Sequence, residues 1–193
     1  MNELALKNTS NKTRRIHPQV FALWMGFLSI IMMFIALTSA YIVKQAAGNW
    51  LEFIIPNSFY VSTAVILISS ATLHLSYSSF KKGKELLYKS MLVVTLILAC
   101  IFIVMQYQGW FQLFDGGVDM KGNPSGSFFY LITGLHAVHI LGGIAALIVA
   151  LLHAFTLPFR PTERRRVRFS LVLQYWHFVD ILWIYLFTFL LFI

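Results

Sequence analysis

Residues Val20–Ile42 read VFALWMGFLSIIMMFIALTSAYI, a run without a single charged side chain. A bilayer's hydrocarbon core is about 30 Å thick, and an α-helix crosses it in roughly 20 apolar residues. A soluble helix of that length would carry a polar face, and this one has none. Working outward, four further stretches share the length and the apolar character: Phe59–Tyr77, Leu86–Tyr107, Phe128–Leu152 and Phe169–Phe192. The sequence therefore predicts an all-α integral membrane protein, a bundle of five transmembrane helices. Composition agrees. Of 193 residues, 59% are hydrophobic and 11% charged, against roughly 25% charged in average soluble chains; mean hydropathy is +0.75.

The charges between these runs set the expected orientation. Lys7, Lys12, Arg14 and Arg15 precede the first run. Lys81, Lys82, Lys84 and Lys89 surround the second connection, and Arg160, Arg164, Arg165, Arg166 and Arg168 the fourth. Thirteen of the 15 basic residues thus fall on one side, and only Lys44 and Lys121 on the other. The positive-inside rule places the N-terminus in the cytoplasm and the C-terminus outside. The chain divides into a basic N-terminal segment, 1–19, and a transmembrane domain, 20–193. The first run is too long for a signal-peptide core. Net charge is +8, but the basic clusters sit where they touch anionic headgroups, and no aromatic-basic platform accompanies them. Nucleic acid is not an expected partner. Trp24, Trp50 and Trp110 lie near predicted helix ends, as interfacial anchors do. The single cysteine, Cys100, excludes an intrachain disulfide and reads as a small packing residue.

Ionisable groups inside a span are costly, so each is a candidate functional residue. Asp180 lies about ten residues into the last run, with His177 three residues earlier on the same helix face. His136 and His139 share a face of the fourth run, flanked by Gly134, Gly142 and Gly143, small residues that let another helix approach. Three roles are open to this set: hydrogen bonding between helices, a proton or ion path, and a metal or haem site. The bonding role is preferred, with Asp180 facing the bundle interior and pairing with His136 or His139. No catalytic, cofactor-binding or metal-ligating residue is assigned. His74 and His153 read as interfacial and His17 as solvated. No phosphate-binding glycine loop, HExxH or carboxylate pair is present.

Two segments carry a resemblance. Residues 127–143 read SFFYLITGLHAVHILGG, and 175–183 read YWHFVDILW, followed by Phe187. They resemble the FFxxTGxHGxHVxxG and YWHFVDxxW segments of haem-copper oxidase subunit III, in order and on consecutive spans. Weaker echoes include Gly26 and Tyr41, Ser69 with Ser70 and Thr72, and Thr95, Phe102, Gln106 and Trp110. The likeness covers roughly residues 18–193, and the five runs look like the last five helices of a family whose members often have seven, as in shorter bacterial forms.

The resemblance implies an accessory subunit of a respiratory terminal oxidase in the bacterial cytoplasmic membrane, itself without haem or copper. Subunit I is its implied direct partner, with subunit II in the same complex and a respiratory supercomplex as the wider setting. Its implied work is to stabilise subunit I, support proton uptake there and hold phospholipid. A cytochrome c oxidase is preferred to a quinol oxidase; a small transporter and a bis-His cytochrome are the rival classes. The sequence also departs from the family pattern. Ile30 stands where a membrane carboxylate is usual, Gln106–Gly109 lacks the usual acid, Ala137 replaces a glycine and Ser170 a glutamate.

Overall fold

The computed structural model describes residues 18–160 and 162–192. The basic cluster of the N-terminus, His17 and most of the expected 1–19 segment lie outside them. Five helices follow one another: α1 Pro18–Ala46, α2 Asn57–Lys81, α3 Glu85–Asp115, α4 Pro124–Thr156 and α5 Glu163–Phe192. All five are long and apolar enough to cross a membrane, and no strand occurs among the described residues.

Each helix outruns its apolar stretch. With 33 residues, α4 extends about 50 Å at 1.5 Å per residue, well beyond the hydrocarbon core. Its start lies four residues before the predicted Phe128. Asn123 caps it, accepting from the Ser125 N–H at 2.9 Å, and Pro124 occupies the first turn, where its missing N–H costs nothing. At the other end of the neighbouring helix, α3 passes Tyr107 and continues to Asp115, carrying Trp110, Phe111 and Phe114 into the interfacial zone.

Seams with a seven-residue repeat hold the bundle together. On α2 the buried positions up to Ser76 are Phe59, Ser62, Ile66, Ser69, Leu73 and Ser76; on α3 they are Tyr88, Leu92, Thr95, Ala99, Phe102, Gln106, Gly109 and Leu113. Alternating steps of three and four residues are the pattern of antiparallel coiled-coil packing. Large residues of α2 alternate with serine, so the two backbones lie close. Gly109 shows how close: a Cβ there would sit 2.5 Å from the Phe59 ring. The reverse turn through Lys82 and Lys84 needs the left-handed φ of +75° at Gly83, which glycine adopts without strain.

In cross-section α2, α3, α4 and α5 close a ring, and α1 lies outside it against α4 and α5 only. The first and third connections meet at one end, where Asn123 Nδ2 donates to the Asn49 carbonyl at 3.0 Å. The second and fourth meet at the other, where Phe159 packs on Phe80 at 5.7 Å between ring centroids. Lys82, Lys84, Arg164, Arg165 and Arg168 therefore share one end of the molecule.

Candidate functional site

The polar residues singled out by sequence lie on α4 and α5, whose contact depends on glycine. A Cβ on Gly143 would meet the Trp176 ring at 2.9 Å, and one on Gly142 would touch the Tyr175 hydroxyl at 3.4 Å. The expected close approach of a helix to these two glycines is present. Gly134 has open space instead.

His136 is fully buried. Its ring stacks on Trp183 at 4.9 Å and meets the edge of Phe102 at 6.3 Å, and neither nitrogen has a hydrogen-bond partner among the described residues. His139 sits one turn on and turns toward α1, its ring edge against Phe34 at 5.8 Å. Its Nδ1–H donates to the Leu135 carbonyl at 2.7 Å, while the Tyr175 hydroxyl donates to the His139 carbonyl at 3.0 Å. The two histidines share a helix but serve different contacts.

Asp180 is 2% exposed, facing the interior as expected. The expected bond to His136 or His139 is corrected by the structure: neither carboxylate oxygen has a hydrogen-bond partner among the described residues. Similar depth on antiparallel helices fixes height but not direction. His136 is turned onto Trp183, away from the Asp180 carboxyl. The Ser70 hydroxyl of α2 bonds His177 Nδ1 at 2.5 Å. His177 also lies 5.9 Å from the exposed ring of His74, centroid to centroid.

Other polar contacts link the ring of helices. Trp183 Nε1 donates to Thr63 Oγ1 at 2.9 Å, and Trp110 Nε1 to Thr133 Oγ1 at 3.0 Å. Gln106 Nε2 donates to Ser62 Oγ at 3.0 Å, and Ser76 Oγ to the Tyr88 carbonyl at 2.9 Å. Thr38 and Tyr185 join α1 to α5 at 3.0 Å. Sequence reasoning named Ser69 as a family echo but passed over Ser62 and Ser76, although the three fall one heptad apart.

Among the described residues, no group of three or more His, Cys, Asp or Glu could hold a metal ion. Cys100 corrects its sequence reading. It is exposed and lies in a groove of about 590 Å³ on the outer face of α3, beside Ile97 and Val104. A second cavity, of about 560 Å³, opens at the basic end between His153, Arg165 and Arg168, with Val149, Ala150 and Val172 as apolar walls.

Comparison with known proteins reaches nearly the whole chain. The family model for cytochrome c oxidase subunit III matches residues 20–193. A probable cytochrome c oxidase subunit 3 of Nocardia farcinica is 30% identical over 194 residues, covering 91% of each chain. The cytochrome c oxidase subunit 3 of Corynebacterium diphtheriae is 32% identical over 176 residues, 86% of this chain and 84% of that one. The Mus musculus subunit 3 is 30% identical over 128 residues, 66% of this chain but only 47% of its own length. A match across every helix, including both motif-bearing spans, means that this chain belongs to the cytochrome c oxidase subunit III family.

Proposed function

We propose that this protein is an accessory subunit of a haem-copper oxidase that braces the catalytic subunit I beside subunit II and carries no haem or metal of its own. The observation that carries this reading is the family match over residues 20–193. The interior supports it: half-buried Thr63 and buried Thr133 and Gln106 are committed to contacts between helices, which is the work of a packing unit. The relatives' names favour cytochrome c as the electron donor of the complex over quinol. The basic end of the bundle faces the cytoplasm of a bacterial cell by the positive-inside rule, and His153, Arg165 and Arg168 suit a phospholipid headgroup above apolar walls.

Mild-detergent purification through a tag on this chain tests the reading. Haem- and copper-containing subunits should co-purify in fixed proportion, and the separated subunit should show no haem absorbance. Capture of no oxidase subunit, or stoichiometric iron or copper in the separated chain, would count against it.

A further inference from the structure

Polar side chains gather on one outer face of the bundle, along the seam between α2 and α5. Ser170, Gln174 and His177 follow one another on α5 at steps of four and three residues, the spacing that keeps side chains on one helix face. Gln174 Nε2 donates to Ser170 Oγ at 3.0 Å. His177 Nδ1 is bonded to Ser70 Oγ of α2 at 2.5 Å, and the His74 ring, one turn further along α2, lies 5.9 Å from the His177 ring. His74 is exposed and the others are half-buried, so the patch opens outward. Nothing in the chain covers it from α1, which packs on α4 and α5 and leaves α2 bare.

This patch lies at a depth where lipid tails would otherwise touch the molecule. His177 stands eight residues, and Gln174 five, beyond Phe169, where the apolar run of α5 begins. At 1.5 Å per residue these are depths of about 12 and about 8 Å, within a hydrocarbon core about 30 Å thick. Hydrocarbon offers no hydrogen-bond partner, yet the patch has bonding capacity left over. With the Ser70 hydroxyl donating to Nδ1, His177 keeps its proton on Nε2 as a donor. His74 makes no hydrogen bond among the described residues, and its neutral ring carries one donor and one acceptor. The groove on the outer face of α3 differs: Leu96, Ile101 and Met105 wall it, side chains that lipid tails satisfy.

We propose that the α2/α5 seam is the surface on which a transmembrane helix of a partner subunit seats, a helix that presents a hydrogen-bond acceptor, a carboxyl or an amide, to His74 and His177. Ionisable groups within spans are costly in lipid and face protein or water, and a polar partner helix meets that requirement at this depth. Ser70 fixes the His177 ring before the partner arrives, so less ordering is needed on binding. Ile181, one turn beyond His177, is 66% exposed and gives the patch an apolar flank. The inference rests on the accessory reading for the partner's identity and adds the face that meets it and the chemistry of the contact.

The test uses the intact complex in mild detergent, with a tag on this chain. A photoreactive benzophenone side chain placed at Ile181 should cross-link to an oxidase subunit. His74→Leu should lower the oxidase retained through a detergent wash about tenfold, the size of one lost hydrogen bond between membrane helices. His74→Gln, which keeps a donor and an acceptor, should retain most of it. Since His74 is exposed and bonds nothing in this chain, its replacement leaves the fold intact. On a lipid-facing surface His74→Leu would hold or raise retention, and adducts at Ile181 would form with lipid alone. Either result would overturn the proposal while the accessory reading stands; capture of no oxidase subunit by the parent chain would overturn both.

Discussion

At the scale of single residues, two glycines on one helix should behave oppositely. Gly143→Ala would put a methyl group 2.9 Å from the Trp176 ring, and overpacking of that kind costs about 1–3 kcal/mol. Gly134→Ala meets nothing within 4 Å and gains helix propensity of up to about 1 kcal/mol. Thermal unfolding of the complex in detergent should therefore fall for the first and hold or rise for the second; equal effects would show that α5 does not seat on Gly143. Asp180 gives a third residue-level expectation. Since no partner is bonded to its oxygens, Asp180→Leu orphans no donor fixed to it and should change unfolding by less than about 1 kcal/mol. A loss several times larger would show that the carboxyl does brace a neighbouring helix.

Among elements, the α2–α3 hairpin is the best place to measure what interior polar groups contribute. Gln106 and Ser62 are both buried and bonded at 3.0 Å. Ser62→Ala leaves the Gln106 amide unpaired, at a cost of about 1–3 kcal/mol, and Gln106→Leu in the same chain should recover most of it. A double-mutant cycle on unfolding reads the coupling directly, and additive losses would contradict the bond. The five spans themselves were legible because apolar runs of helical length have few other readings. Their ends were less so: the Asn123–Pro124 cap lies outside the apolar run that starts at Phe128, and the interfacial aromatics that extend α3 are too polar a run to count as membrane. The seven-residue spacing of the α2 serines was open to view, but a strongly apolar background hides a seam made of small residues. Side-chain partners were the least legible part. Depth along two helices follows from counting, whereas the direction of Asp180 depends on how α5 is rotated against α2 and α4, which packing alone decides.

For the whole molecule, helix ends and charge agree on a polarity. Connections one and three meet through Asn123 and Asn49, and connections two and four meet on the basic end through Phe80 and Phe159. A cysteine placed at Lys82 should react with an impermeant reagent only from the cytoplasmic side, and one at Asn49 only from outside; the reverse would invert the topology. A ring of four helices with α1 outside it, joined by heptad seams, has the build of a supporting part. Removal of this chain from the oxidase tests that most directly, by following the haem spectrum and the activity of the remaining complex through repeated turnover. The haem spectrum should stay unchanged while the activity decays faster than in the parent. A haem signal lost in proportion to the missing subunit would contradict it.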